Sequence, residues 1–440
     1  MSTEPATADD RIPPLVWAMW ALAASFYLYG FYQRVLPSVM VDPLMAEFAV
    51  GGAVLGNLSA FYFYAYAGLQ LPVGMLLDRW GPRRVLTLAA VLCAGGSLLF
   101  ASADSLTPAY LGRALVGAGA AFSWVGALTI AAAWFPTKRF ALLTGLTMLF
   151  GMAGAVGGQG PTAALLKLTD WRGVMTWAAI AGFALAGALF LVVRDRRPAG
   201  GGGGGASGSA GSVDRAAPVT ALAGLGKVAR NGQTWLLAFC LGLISAPMLA
   251  FGALWGVPYL MQVYGVARAE AAFSISLMLI GFALGGPIVG WVSDHFGRRR
   301  PPLLVGIVLM LASLGAALFV PGLPLDAVRA LLFLHGLTGG CFVVCFAAVR
   351  ENNPGSASGT ALGLVNMGVM GSGAAFQPII GVLLDLGWDG RTVAGARVYD
   401  AETYRLAFLT LPGALVVAFV LALLIRETWC RPVEAPAPAV

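Results

Sequence analysis

The sequence predicts an all-α membrane protein: twelve transmembrane helices in two pseudo-symmetric six-helix bundles. Three observations carry that prediction. Of the 440 residues, 59% are hydrophobic and only 11% charged, against about 25% charged in soluble domains, whose surfaces face water. The apolar residues gather into runs of about 20, the length a helix needs to cross about 30 Å of hydrocarbon. Motifs in the first half of the chain also return in the second at a nearly constant spacing.

Measured by helix length, the spans fall near 15–36, 52–77, 85–103, 108–132, 140–166 and 174–193. A second set falls near 235–260, 271–293, 302–320, 327–349, 359–385 and 404–425. These runs are continuously apolar, unlike barrel strands, which alternate apolar and polar residues with a period of two. The segment Met1 to Pro14 has neither the basic start nor the small-residue cleavage site of a secretory signal, so the first span is expected to remain in the mature protein.

After the sixth run the composition changes. Arg194-Asp195-Arg196-Arg197-Pro198 closes it, and Gly200 to Ser212 is almost pure Gly, Ala and Ser, which cannot bury a core. The expected organisation is a bundle over residues 1–197, a flexible cytoplasmic Gly-rich linker over 198–232, and a second bundle over 233–440. One set of inter-span loops holds Arg79, Arg83, Arg84, Lys138, Arg139, Arg194, Arg298, Arg299 and Arg300, while the other set is sparse in basic residues. Basic loops stay on the cytoplasmic side, so both termini are expected there, in the inner membrane if the source is bacterial.

Composition also excludes several classes. The net charge of +7 sits in loops and speaks for membrane orientation and against nucleic acid. Four of the five cysteines lie in apolar runs, and Cys341 and Cys345 have no His or carboxylate at ligand spacing. No metal, cofactor or disulfide framework is expected. No Gly-x4-Gly-Lys-Ser/Thr loop occurs, which argues against ATP drive. An enzyme needs a nucleophile with a base or a metal cluster, and a receptor a soluble signalling domain; neither is legible.

The internal repeat is specific. Gly74-Met75-Leu76-Leu77-Asp78-Arg79-Trp80-Gly81-Pro82-Arg83-Arg84 follows the second span, and Gly290-Trp291-Val292-Ser293-Asp294-His295-Phe296-Gly297-Arg298-Arg299-Arg300 follows the eighth. Gly145, Gln159 and Leu165 return as Gly363, Gln377 and Leu383, at an offset near 217 residues. Parallel repeats about an axis normal to the membrane are a transporter architecture, with a solute site near mid-membrane between them. On these residues, and on Arg113 with Gly117 and Gly119, the whole chain resembles the major facilitator superfamily. The resemblance implies a gating role for Asp78 and Arg79, with Arg83, Asp294 and Arg299 in the same loops; His295 stands where that family usually has Arg. A carboxylate against a helix N-terminus, with guanidinium partners, can latch two helices. The plain alternative is a basic anchor with a tight turn at Gly81-Pro82.

Charge inside a membrane is costly and marks function. Arg34, near the end of the first span, and Arg113, near the start of the fourth, are the intramembrane cations; no Asp or Glu stands mid-span. A positive chamber without a carboxylate prefers anions. Arg34 is the expected solute contact, with Tyr32 beside it, and Arg113 a coupling or packing residue. His335 is the intramembrane group that titrates near neutrality and is the second coupling candidate. Tyr32-Gln33-Arg34-Val35-Leu36-Pro37-Ser38 looks like the branch that carries organic anions and phosphate esters. The second arginine which phosphate-ester antiporters place in the seventh helix is missing from Met248-Leu249-Ala250-Phe251-Gly252.

Pairing Pro37 with Pro258 as repeat partners sets Trp255 opposite Arg34, where an indole could face the guanidinium. Tyr62, Tyr66 and Gln70 share one helix face at a spacing of four, and Gln159, Gln377, Asn366 and Tyr259 complete the candidate cavity. Helix-to-helix bonding is the alternative for each. The glycines of the fifth span, Gly151, Gly154, Gly157, Gly158 and Gly160, read as a close-packing hinge. The expected function is secondary active transport of a small organic anion or carboxylate-bearing nutrient by alternating access, by a monomer in lipid. An amino-acid or dipeptide carrier, resembling the lysosomal dipeptide transporter branch, and a drug or siderophore exporter are the other readings.

Overall fold

The computed structural model describes residues 12–195, 226, 228–354 and 357–431, with the side chains of Asp78, Thr137, Lys138 and Ala141 left aside. Most of the expected linker, 198–225, lies outside these residues. Eleven helices in the described chain are long and apolar enough to span a bilayer, and a bent helix pair brings the number to twelve.

In the first half the spans are Pro14–Val39, Gly52–Gly68 resuming as Pro72–Trp80, Pro82–Ala101, Leu106–Trp134, Thr137–Gly157 with Gly160–Leu165, and Trp171–Val192. In the second they are Gly232–Tyr264, Arg268–Phe296, Arg300–Phe319, Leu325–Gly339 with Phe342–Glu351, Ser358–Leu386, and Ala401–Phe408 with Thr410–Leu424. Each predicted run coincides with one of these helices.

The departures have local causes. Pro37 and Pro72 each lack an N–H donor; the first span tightens to a 3₁₀ turn at Leu36–Val39, and the second is interrupted at Leu69–Leu71. Val41–Phe48 is a separate helix that meets Gly52–Gly68 at 113° and buries Val41, Leu44 and Met45. The seventh span widens to a π-helix over Pro247–Trp255. Between the last two spans a short hairpin pairs Thr392–Val393 with Ala396–Arg397.

The fifth span does pack closely. A β-carbon on Gly154 would lie 2.0 Å from the Leu28 carbonyl oxygen, so the first and fifth helices touch backbone to backbone. Small residues permit that approach where no hydrophobic force drives helices together in lipid.

The two bundles meet chiefly through the second and eleventh spans. Gly381 faces Gly52 and Gln377 faces Gly56: a β-carbon on Gly56 would lie 2.5 Å from the Gln377 carbonyl oxygen. The Asp385 carboxylate accepts from Gly52 N and Ala53 N, both at 2.9 Å, capping the start of the second span. It also accepts from Tyr399 Oη at 2.6 Å and from Arg397 Nη1 at 3.1 Å. Arg268 and Asp42 pair across the same face at 2.9 Å. At the opposite, basic face, Pro72–Trp80 packs on the third and fourth spans, and Phe342–Glu351 on spans of the second bundle. The molecule is closed at the Asp385 face.

Candidate functional site

Arg34 is 5% exposed and sits where the first span meets its 3₁₀ turn. Three rings surround its guanidinium, with centroids at 4.1 Å for Phe31, 5.4 Å for Tyr66 and 5.5 Å for Tyr62. Phe31 lies three residues before Arg34, and Tyr62 and Tyr66 are four apart, so helical spacing alone puts each pair on one face. Arg34 Nε donates to Tyr62 Oη at 3.4 Å, and Tyr62 donates to the Gly30 carbonyl at 3.2 Å. Among the described residues no carboxylate pairs with Arg34. Ring faces attract the cation but leave the guanidinium edge able to take a carboxylate in bidentate fashion.

Arg113 is enclosed within the protein. It is 1% exposed, donates Nη1 to the Gln33 carbonyl at 2.9 Å, and lies 5.3 Å from the Tyr62 ring centroid. Tyr62 thus stands beside both guanidiniums. Arg113 Nε and Nη2 are buried without an acceptor. Gln33 itself donates to Tyr29 Oη at 2.8 Å and to Ser97.

The other polar candidates bind protein. Gln70 Oε1 accepts from Asn366 Nδ2 at 2.7 Å, joining the bundles. Gln159 accepts from Ser38 Oγ at 3.1 Å and donates to the Gly252 carbonyl at 2.9 Å, also between bundles. Its repeat partner Gln377 donates to the Leu249 carbonyl at 2.7 Å. Both carbonyls belong to the π-helical stretch of the seventh span, whose i→i+5 pattern departs from the α-helical one. Tyr32 Oη accepts from Thr162 at 3.2 Å, and Tyr259 lies buried among Phe251, Tyr404 and Phe408.

Trp255 is not brought to Arg34. It is fully buried, and its indole N–H donates to the Gln377 carbonyl at 3.0 Å within the second bundle. The wall next to Arg34 is instead Phe31, which packs with Val156 and Met248 on a buried cluster of Val35, Ala155, Ala253 and Leu279. The three-residue spacing of Phe31 and Arg34 was the signal available for that neighbour. His335 is 1% exposed; its Nδ1 lies 3.1 Å from the Met310 carbonyl, between the ninth and tenth spans.

The loop motifs are held within their own bundles. Arg83 N donates to Asp195 Oδ1 at 3.0 Å, and Arg83 Nε donates to the Phe190 carbonyl at 2.8 Å. Arg79 is exposed, and the side chain of Asp78 lies outside the described side chains. In the second bundle Arg299 pairs with Asp294 at 2.6 Å and Glu351 at 2.7 Å. Glu427 accepts from Arg299 N at 2.8 Å and Arg300 N at 2.9 Å. Asp195 and Glu427, each just past the last span of its bundle, therefore cap the third and ninth spans alike. The sequence reading missed both. An apolar cleft of 410 Å³ opens between the second, third and fourth spans; its walls, among them Leu76, Trp80 and Phe122, hold none of the candidate polar groups.

Two bundles of six spans, a signature loop after the second span and its copy after the eighth define a membrane transporter fold. The chain belongs to the Major Facilitator Superfamily, whose profile matches residues 21–256 and 240–439. It is similar to the hexuronate transporter of Escherichia coli strain K12, 24% identical over 428 residues and covering 93% of this chain and 95% of that one. It is also similar to the 4-hydroxybenzoate transporter of Pseudomonas putida, 26% identical over 425 residues, or 88% and 91% of the two chains. Among solved structures, a bacterial homolog of the human lysosomal transporter Spinster, inward-facing and unoccupied, superposes with a TM-score of 0.75. That match covers 96% of this chain and 99% of the other at 18% identity, which shows the fold. The protein is a multi-pass membrane transporter and not an enzyme, and its family includes carriers of small anions.

Proposed function

We propose that the protein is a secondary carrier for a small organic anion, bound through its carboxylate by Arg34 between the two bundles. The observation that carries this reading is a buried guanidinium enclosed by Phe31, Tyr62 and Tyr66 with no carboxylate beside it among the described residues. Every Asp and Glu within the spans lies within two residues of a span's end. A positive site in a low-dielectric wall attracts an anion strongly and repels a cation. The same absence argues against an amino-acid or peptide carrier, whose ammonium needs an acceptor.

The basic loops support a cytoplasmic side for both termini, and on that reading the closed Asp385 face is the outer one. Alternating access then requires the contacts of the second and eleventh spans to part. The experiment is uptake by the purified protein in liposomes under imposed proton and sodium gradients, with carboxylates, their neutral amides and cationic analogues as probes. Carboxylate uptake that Arg34→Ala removes is the expected result. Uptake of amides or cations that is indifferent to Arg34→Ala overturns it.

A further inference from the structure

Resting on that anion site, we infer that the solute is a monocarboxylate with a flat apolar body, an aromatic acid, and not a polyhydroxylated sugar acid. Three observations lead there. The anion hook is the Arg34 guanidinium: Arg113, 1% exposed, lies 5.3 Å from the Tyr62 ring centroid with Nη1 on the Gln33 carbonyl at 2.9 Å and its Nε and Nη2 buried. One guanidinium matches one carboxylate.

On the Phe31 side, away from the Tyr62 and Tyr66 hydroxyls, the surface continuous with the hook is carbon and sulfur. Phe31, 4.1 Å from the guanidinium carbon, also packs with Met248 on the cluster holding Val35 and Leu279, so both bundles contribute. Ring faces and thioethers favour an aromatic neighbour.

The glutamine amide N–H groups that could donate to sugar hydroxyls already donate to backbone carbonyls, although Gln377 Oε1 has no partner among the described residues. Gln70 holds Asn366 at 2.7 Å, Gln159 holds Gly252 at 2.9 Å, and Gln377 holds Leu249 at 2.7 Å. A ring of hydroxyls entering here would lose water and find fewer free partners than it has hydroxyls, and each unpaired polar group costs about 1–3 kcal/mol.

The test uses the full chain in liposomes with radiolabelled benzoate, glucuronate and acetate, and benzamide as the neutral control. Benzoate should be taken up with a half-saturation at least about tenfold below that of glucuronate, since one buried unpaired hydroxyl accounts for that factor. Arg34→Ala should remove uptake of all three carboxylates. Phe31→Ala should lower the ratio of benzoate to acetate uptake about fivefold, the size of one ring contact, and Phe31→Tyr should restore it. A monodisperse elution profile for Phe31→Ala shows that the variant folds. Arg34-dependent uptake that favours glucuronate, or a ratio unmoved by Phe31→Ala in folded protein, overturns the aromatic assignment and leaves the anion site standing. Benzamide carried as well as benzoate, or no uptake of any carboxylate, overturns the anion site itself.

Discussion

Arg34 illustrates how much one residue can announce. An arginine in an apolar run must be bonded, exposed or functional, and its sequence neighbours contained one of its three rings, Phe31. Replacing it with Ala should raise the half-saturation for a carboxylate about 10- to 100-fold, the worth of a charge-assisted hydrogen bond of about 1.5–3 kcal/mol, enough to remove uptake at tracer concentrations of the labelled acid. Arg34→Lys keeps the charge but loses the planar fork and the ring stacking, so it should recover only part of the loss; an uptake titration over both variants checks the order. Trp255 was placed opposite Arg34 by aligning two prolines, and that alignment failed on its own residue. The π-helical turn of the seventh span changes the angular position of every residue after Pro247, and no periodicity in an all-apolar run reports such a turn. Asp195 and Glu427 were illegible for a different reason. Each bonds a backbone N–H over a hundred residues away, and nothing in a loop carboxylate names its distant partner.

Among the elements, the seventh span is the least regular and is held by glutamines from two others. Gln159 and Gln377 are repeat partners, and both bond to carbonyls of the π-helical stretch at 2.9 and 2.7 Å. Replacing either with Leu leaves a buried carbonyl without its donor, at a cost of about 1–3 kcal/mol, so both variants should lower the melting temperature in detergent. Only Gln159 reaches across to the other bundle, so Gln159→Leu should also loosen the closed state, seen as faster labelling of a cysteine placed near Arg34. Equal labelling in the two variants would show that the Gln159 bond does not hold the bundles together. At the basic face, the ninth span is capped by Glu427. Its burial raises the carboxyl's pKa, but backbone N–H groups of Arg299, Arg300, Trp429 and Thr428 outweigh this and hold it below the ordinary 4.5. A carboxyl depressed in the folded protein stabilises it above its unfolded value and loses that contribution as pH falls toward the folded one. Stability should therefore drop as pH falls below about 4.5, and Glu427→Gln should flatten that part of the melting curve against pH.

For the whole molecule, twelve spans and the internal repeat were readable because hydrocarbon thickness dictates helix length and duplication preserves spacing. The conformation was not readable, because closure depends on which glycines of one bundle meet which carbonyls of the other. Here Gly381 meets Gly52 so closely that a β-carbon on Gly381 would stand 2.1 Å from the Gly52 carbonyl oxygen, a backbone atom that a side-chain rotation cannot clear. One turn away Asp385 caps the start of the second span through Gly52 N and Ala53 N. Packing and electrostatics thus act at the same point, and they can be separated. Gly381→Leu denies the close approach and should hold the Asp385 face apart, abolishing uptake in a protein that still folds, since each bundle keeps its own interior. Asp385→Asn preserves the shape but removes the negative charge at a helix N-terminus, worth about 0.3–1 kcal/mol at exposed sites and up to about 2 when partly buried. It should shift the equilibrium toward the open face by about 2- to 30-fold and slow uptake without abolishing it. Spin labels at the exposed positions Leu168 and Val393, one in each bundle, would read both effects as a longer distance by electron paramagnetic resonance. An unchanged distance in Gly381→Leu would mean that the second and eleventh spans never separate, and the carrier would then have to open elsewhere.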